Sequence, residues 1–253
     1  MKALILAAGT ASRLRPLTND TPKCLLQVGQ RSLLQRSMDA LIQNGIRQFV
    51  IVTGYLHEKI EQFVSQQYGD SIHVSFIQNN IFASTNNIYS LWLARPSVEG
   101  EDVLLLDSDL LYDPQIITRI LAEDAPNVLT LIRHPLGEEE MKVVTASSRN
   151  HAKGVTTDTI LEISKTCNPD EAAGESLGIE KMCPAYSRSL YSELDKMMNQ
   201  EHLENKFYEL AFERLIPQGH TFSVLDVTDL FSCELDTVED FENAKQKIPA
   251  SLY

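Results

Sequence analysis

Cations and small residues cluster at the start of the chain, in a pattern that suits a polyphosphate. An apolar run from Ala3 has the length and composition of a buried strand. The loop that follows it, in which Gly9 is the single glycine, consists of Leu6, Ala7, Ala8, Gly9, Thr10 and Ala11. Its bare backbone amides, with Arg13 and Lys23 close behind, could cradle phosphates. The loop matches neither a Walker motif nor G-x-G-x-x-G, both of which need a second glycine.

Carboxylates follow two other apolar runs. Asp107 and Asp109 come directly after Val103–Leu106, and period-2 alternation would point both side chains to the same side. Asp236 ends a second apolar run in the same way. Because Mg²⁺ prefers carboxylate and phosphate oxygens and takes few protein ligands, these positions suit a Mg²⁺ site. A simpler interpretation of the last segment is that Thr237 and Asp240 form a capping box at the start of a helix. The negative charge of Asp236 would then only stabilise the N-terminus of that helix.

The elements that would position these groups alternate between strand and helix in the first half. Predicted strands are 3–6, 49–52, 74–77 and 103–106, and predicted helices are 32–44, 54–63 and 86–94, with another starting at 113–114. Such alternation implies a doubly wound, mostly parallel α/β sheet, whose ligands bind beyond the carboxyl ends of the strands. One crevice would then hold both the opening loop and the aspartates.

The second half is less regular. Its predicted strands are 128–132, 142–145, 160–163, 222–225 and 233–235, its predicted helices are 186–198, 207–216 and 237–247, and a polar loop covers 150–154. We expect a single domain over residues 1–253, in which 1–125 mainly bind a nucleotide and 126–253 mainly bind an acceptor and supply closing helices.

Composition excludes several classes of partner. The net charge of −13 argues against nucleic acid and anionic membranes, both of which need a basic surface. No stretch approaches ~20 apolar residues, and the first apolar run breaks at Gly9, so we expect neither a membrane span nor a signal peptide. Four scattered cysteines fit reduced thiols. We therefore expect a cytoplasmic protein and leave the oligomeric state open, a homodimer being one option.

The opening segment resembles the signature of the nucleotidyltransferase superfamily, L-A-A-G-x-G-x-R-L-x-P-x-T-x-x-x-P-K-x-L. The chain departs from it at Ala11, where the second glycine belongs. The resemblance implies a Rossmann-like sheet and the joining of an NTP to a small phosphorylated molecule with release of pyrophosphate. It also implies that Lys23 and Arg13 contact the phosphates and that Asp109 and Asp236 hold the metal. We expect Asp107 to be a nucleotide-binding residue that lies behind the metal ligands.

A second segment, Asn79 to Leu91, resembles the N-x-x-[YF]-A-x-x-N-N-x-Y-S-L stretch of phosphocholine cytidylyltransferases, and 2-aminoethylphosphonate cytidylyltransferases look similar there. The implied nucleotide contacts are Asn79, Thr85, Asn86 and Ser90. An Asn side chain can match the donor and acceptors of cytosine, although Thr85 or Asn86 could also simply cap a helix. By resemblance to superfamily motifs, the implied acceptor-binding residues are Lys142, Lys165 and Glu175.

The sequence therefore predicts a Mg²⁺-dependent cytidylyltransferase acting on CTP and a small phosphate or phosphonate, such as phosphocholine or 2-aminoethylphosphonate. A sugar-1-phosphate nucleotidyltransferase using UTP or dTTP is one alternative, although its usual Q-x-x-P-x-G-x-A-x-A pattern is missing. A catalytically silent nucleotide-binding domain is another, supported by Ala11. A Rossmann oxidoreductase is weakened by the missing G-x-G-x-x-G.

Overall fold

The computed structural model describes residues 1–149 and 158–252. Its strands, numbered in chain order, are β1 Lys2–Ala7, β2 Gln27–Val28, β3 Arg31–Ser32, β4 Gln48–Thr53, β5 His73–Gln78, β6 Val103–Asp107, β7 Leu110–Tyr112, β8 Val128–Ile132, β9 Lys142–Thr145, β10 Ile160–Ser164, β11 Gly174–Met182, β12 Ser223–Asp226 and β13 Ser232–Glu234. Its helices are α1 Leu33–Gln43, α2 His57–Tyr68, α3 Asn87–Leu93, α4 Arg95–Val98, α5 Gln115–Ala122, α6 Ala146–Arg149, α7 Pro184–Asn199, α8 Glu209–Leu215 and α9 Val238–Lys247. The predicted polar loop at 150–154 lies outside the described residues.

The central sheet has the order β10-β9-β11-β6-β1-β4-β5, with β8 and β12 branching from β11. Strands β6, β1, β4 and β5 are parallel, whereas β11 runs antiparallel to β6, β8 and β9. The predicted α/β fold, with a mixed parallel and antiparallel sheet flanked by helices, is confirmed.

Strand β1 shows why the sheet is covered on both faces. Its side chains alternate, so Leu4 and Leu6 enter the hydrophobic core beneath α3, α7 and α8, while Ala3 and Ile5 enter the core beneath α1, α2 and α5. The sequence of a strand that is buried on both faces is a continuous run of apolar residues, and the sequence of β1 is such a run. Within the described residues, no helix is both long enough and apolar enough to cross a bilayer.

Helix α1 begins and ends where its sequence signals stand. Ser32 is the N-cap, and its side chain accepts a hydrogen bond from the backbone N–H of Gln35. Gly45, just beyond the helix, has φ of 85°, a conformation that glycine adopts without strain. The predicted helix at 32–44 is therefore confirmed to within a residue at each end.

Strand β11 is the main element that the sequence did not predict. It begins at Gly174, where a Cβ would lie 2.4 Å from the carbonyl oxygen of Ile132, and it contains Gly178 at φ of 77°. Its pairing with β8 shifts register between Ser176 and Glu180. These glycines and the bulge break the alternation by which strands are recognised. The strand nevertheless joins the parallel half of the sheet to the second half.

Candidate functional site

A cleft of about 660 Å³ opens beyond the carboxyl ends of β1 and β6. That size is typical of pockets for small molecules. Sixteen of the residues predicted for the site line it, namely Leu6, Ala7, Ala8, Gly9, Ala11, Arg13, Lys23, Asn79, Thr85, Asn86, Ser90, Asp107, Asp109, Lys165, Glu175 and Asp236. Thr10 and Lys142, which were also predicted, are not among its lining residues.

The opening loop has a fixed, strained shape. Ala11 adopts the left-handed conformation, with φ of 47° and ψ of 48°, where the superfamily signature has glycine. The Thr18 hydroxyl donates to the Ala11 carbonyl at 2.9 Å and holds the turn. A non-glycine residue in this conformation carries a cost of about 1 kcal/mol. Alanine therefore keeps the backbone shape that the signature's glycine would favour, at some cost in stability.

A lysine lies between two aspartates at the centre of the cleft. The Lys23 ammonium donates to Asp109 Oδ2 at 2.9 Å and to Asp236 Oδ1 at 2.6 Å, and Arg13 also pairs with Asp236. Burial lowers the pKa of Lys23, but the two aspartates outweigh it and hold that pKa above its ordinary value. Burial likewise raises the pKa of Asp236, and Lys23 and Arg13 outweigh it and lower the pKa. Lys23 and Asp236 are therefore both charged at neutral pH.

Strand pairing brings Asp236 to Asp109 across a long stretch of chain. Strand β13 is antiparallel to β7, which follows Asp109, and the Leu235 amide donates to the Asp109 carbonyl at 3.1 Å. The capping box anticipated as the alternative also forms, between Thr237 and Asp240 at the start of α9. The two interpretations of this segment are thus compatible, since capping uses Asp240 and leaves Asp236 in the cleft.

Three carboxylates form a group that suits a divalent cation. Oxygens of Asp109, Glu234 and Asp236 all lie within 4.8 Å of one another. Asp109 Oδ1 is buried and has no hydrogen-bond partner among the described residues, as expected of an atom that a cation would complete. Although Glu234 is exposed, desolvation on its cleft side and the charges of Asp109 and Asp236 raise its pKa to about 8. Sequence reasoning missed Glu234, although it lies only two residues before Asp236, at the end of β13.

Asp107 faces a different environment from Asp109. Its Oδ2 accepts a hydrogen bond from the Tyr208 hydroxyl at 3.0 Å, and a Cβ on Gly178 would come within 2.7 Å of the same oxygen. Burial raises the pKa of Asp107 well above its ordinary value, and nearby carboxylates, led by Asp109, raise it further. Asp107 is therefore packed behind the three-carboxylate group rather than added to it.

The asparagine segment is organised around Asn79, which is buried. Its amide nitrogen donates to Thr85 Oγ1 at 3.1 Å and to Ser90 Oγ at 3.2 Å, while its oxygen accepts from the Ile81 amide at 3.0 Å. Its polar atoms thus hold the loop together. Asn86 is the N-cap of α3, as the simpler interpretation expected, and it also lines the cleft.

The residues predicted for the acceptor occupy two environments. Lys142 is buried behind the cleft wall, and its ammonium donates to the carbonyls of Glu140 at 3.3 Å and Lys165 at 2.6 Å. Lys165 lines the cleft, with its ammonium 3.5 Å from Glu139. Glu175 also lines it and lies 2.6 Å from His134 Nε2. Lys165 and Glu175 can thus reach a ligand, while Lys142 connects backbone segments.

The chain matches known proteins over most of its length. A family model described as nucleotidyl transferase matches residues 2–141. The choline-phosphate cytidylyltransferase of Streptococcus pneumoniae is 39% identical over 110 residues, which are 44% of this chain and 46% of that protein. The CMP-5'-(3-aminopropyl)phosphonate synthase of Streptomyces rubellomurinus is 28% identical over 247 residues, 96% of this chain and 38% of that protein. The chain thus spans less than half the length of these two curated relatives.

A solved structure of a CTP:phosphocholine cytidylyltransferase from Streptococcus pneumoniae has the same fold. It superposes with a TM-score of 0.76 at 22% identity, covering 98% of this chain and 99% of that one. The similarity in fold extends through both halves of the sheet, including the part of the chain after residue 141, which the family model does not reach.

Proposed function

The chain belongs to the nucleotidyl transferase family, and we propose that it is a divalent-metal-dependent cytidylyltransferase. It joins CMP from CTP to a small phosphate or phosphonate and releases pyrophosphate. The observation that carries this proposal is the convergence of Lys23, Arg13 and the three carboxylates in one cleft beside the opening loop. Relatives named as cytidylyltransferases of choline phosphate and 2-aminoethylphosphonate support the choice of CTP and of a small acceptor.

The proposed reaction needs positioning and neutralised charge more than covalent help. An acceptor phosphate oxygen attacks the α-phosphorus in line, so that a new P–O bond forms while the bond to the β-phosphate oxygen breaks. Lys23 and Arg13 stabilise the charge that builds on the departing pyrophosphate. The bare amides of the opening loop, from Ala7 to Ala11, hold the phosphates of CTP.

Asp109, Glu234 and Asp236 would hold the metal, which we propose is Mg²⁺. Their hard oxygen donors fit such an ion, and so does Asp109 Oδ1, which has no hydrogen-bond partner among the described residues. The bound ion would neutralise the charge of the two phosphate-bearing substrates. We also propose that residues 1–125 mainly bind CTP and 126–253 mainly the acceptor, with Glu234 and Asp236 as members of the second half that reach the nucleotide side.

Pyrophosphate release with Mg²⁺ tests the proposal directly. CTP, UTP, dTTP, ATP and GTP are each paired with phosphocholine, 2-aminoethylphosphonate, phosphoethanolamine, inositol-1-phosphate and glucose-1-phosphate. We expect turnover with CTP and one small acceptor. Turnover confined to UTP or dTTP with glucose-1-phosphate would instead identify the protein as a sugar-1-phosphate nucleotidyltransferase. Absence of turnover with every combination of nucleotide and acceptor would count against the proposal.

Two aspartate variants test the metal site. Asp109→Asn and Asp236→Asn should each weaken Mg²⁺ binding and so raise the Mg²⁺ concentration at which turnover is half-maximal. Asp229→Asn is the matched control, because Asp229 pairs with Arg119 at an exposed position away from the cleft. Unchanged metal titrations for both cleft variants would refute the carboxylate site.

A further inference from the structure

Glu209 is a cleft carboxyl group that the transfer chemistry does not use. It is 6% exposed and lines the cleft, and its Oε2 is buried without a hydrogen-bond partner among the described residues. Glu180, fully buried nearby, also has an unpartnered Oε2 within the part of the chain that the structure describes, while its other carboxyl oxygen lies 3.4 Å from Ser176 Oγ. Buried polar atoms are normally hydrogen-bonded, and leaving one unpaired is costly. Because Glu209 lines the cleft, its unpaired atom points to a partner that comes from outside the chain.

The other acidic side chains in this part of the cleft already have partners. These contacts are Glu175 with His134, Glu139 with Lys165, and Glu140 with the Gly137 amide at 2.8 Å. Among the residues that the structure describes in this part of the cleft, Glu209 is therefore the carboxyl group that can still accept a hydrogen bond from a ligand cation.

The aromatic residues at hand do not make a cage for a quaternary ammonium. Among the described residues that line the cleft, the aromatic rings are Phe82 and Phe207, apart from the His134 imidazole. Phe82 packs near Tyr55, with ring centroids 6.2 Å apart. The Phe207 face carries the Lys165 ammonium at 4.7 Å. Trimethylammonium groups are recognised mainly by aromatic faces, whereas a primary ammonium donates three hydrogen bonds and suits carboxylate oxygens.

Building on the proposed function, we propose that Glu209 binds a primary ammonium group on the acceptor. The acceptor is then a small zwitterion, an aminoalkyl phosphate or phosphonate, and not a quaternary ammonium compound. Burial raises the pKa of Glu209 to about 7, and Lys165 lies close enough to act against that rise. The ammonium of a zwitterion would then lie at Glu209 and its phosphate at Lys165, each beside an opposite charge.

Three acceptors that differ only at the end remote from the phosphate test this site. They are phosphoethanolamine, phosphocholine and ethyl phosphate, with 2-aminoethylphosphonate and ethylphosphonate as a second pair. With CTP and Mg²⁺, we expect the primary amines to have KM values at least tenfold below those of their trimethylated or amine-free counterparts. A charge-assisted hydrogen bond to a buried carboxylate is worth roughly that factor or more.

Glu209→Gln is the variant that isolates the carboxylate, since it preserves shape. It should raise KM for the primary amines at least tenfold and leave KM for the amine-free compounds and for CTP within twofold. Glu213→Gln, the same change one helical turn further along α8 and away from the cleft lining, should change none of these values. Equal effects of Glu209→Gln on amine-bearing and amine-free acceptors, or a wild-type preference for phosphocholine, would overturn the inference.

The experiments distinguish a protein that is not a transferase from a transferase that lacks the ammonium site. Turnover without any preference for amines would leave the transferase standing and overturn the site. If no acceptor is turned over, calorimetric titration of phosphoethanolamine and ethyl phosphate in the presence of a non-hydrolysable CTP analogue tests the site alone. Binding of the amine that Glu209→Gln abolishes would support the site, and equal or absent binding of both compounds would refute it.

Discussion

Replacing Lys23 by methionine removes the ammonium between Asp109 and Asp236 while keeping a side chain of similar length. The substitution breaks the ion pairs that join the Lys23 ammonium to Asp109 at 2.9 Å and to Asp236 at 2.6 Å. A hydrogen bond to a charged group contributes roughly 1.5–3 kcal/mol. The lysine side chain is 14% exposed, but the aspartates are 24% and 30% exposed, so water offsets part of that contribution. Methionine also avoids the cost of burying an ammonium.

These opposing effects leave an expected decrease of about 1–2 kcal/mol in the free energy of unfolding when divalent cations are absent. The same free energy opposes a cation that binds to Asp109 and Asp236, because the lysine ion pairs must first be broken. Lys23→Met should therefore bind Mn²⁺ about tenfold more tightly than the wild type, the factor that about 1.4 kcal/mol represents. Turnover should nevertheless fall by roughly two to three orders of magnitude, because the charge that stabilises pyrophosphate is removed.

Three measurements check this prediction. Urea unfolding in EDTA gives the stability, calorimetry with Mn²⁺ gives the affinity, and pyrophosphate release at saturating CTP gives the turnover. Lys247→Met, at an exposed position near the end of α9, is the control and should match the wild type. Unchanged Mn²⁺ affinity would show that Lys23 does not compete for the carboxylates, and near-normal turnover would refute its role in transfer.

Three further changes should have smaller and separable effects. Ala11→Gly relieves about 1 kcal/mol of left-handed strain but adds about 0.4–1 kcal/mol of chain entropy to the unfolded state. Its stability by urea unfolding should stay within about 1 kcal/mol of the wild type, and its turnover should be similar. If the wild type had near-zero turnover and Ala11→Gly raised it strongly, the wild-type chain would instead be a catalytically silent domain. Asn86→Ala should cost about 1 kcal/mol by loss of the N-cap and lower the ratio of CTP to UTP turnover; an unaltered ratio would leave Asn86 as a cap alone. Burial raises the pKa of Glu209 to about 7, so the folded state binds its proton more tightly than the unfolded state does, and stability should fall by up to about 3 kcal/mol as pH rises from below 4.5 to above 7. The ionisable groups that act on or are affected by this carboxyl are Lys165, Glu180, Asp107 and Tyr208. Between pH 5 and 8, Glu209→Gln should lose less stability than the wild type by urea unfolding, and an equal loss would contradict the assignment.

Short-range patterns in the sequence were enough to predict the fold class and the nucleotide side of the cleft. The opening loop and Asp107-Ser-Asp109 each combine a buried apolar strand with reactive groups placed directly after it. In a parallel sheet, such groups necessarily meet at one edge. What each predicted side chain does there stays a prediction, to be decided by the variants above.

The acceptor side could not be predicted in the same way, because long-range contacts define it. Glu180 lies on β11, whose glycines hide the strand pattern, and Glu209 becomes a cleft residue only through the packing of α8. Lys142 stands at the start of an apolar strand, where the sequence does not reveal that its ammonium turns to backbone carbonyls. Residue type alone could not separate this lysine from Lys165, which lines the cleft.

The pairing of β13 with β7 determines when, during folding, the site can become complete. Lys23 and Asp109 belong to the part of the chain that is synthesised first, whereas Glu234 and Asp236 follow more than a hundred residues later. Contacts between such distant segments form late, because the entropy of closing a long loop must be lost before the contacts can lower the free energy. Until residues 234 and 236 are in place, the cation group lacks two of its three carboxylates. Capacity to bind a divalent cation would thus report on completion of the whole fold, and not only on the state of the nucleotide half.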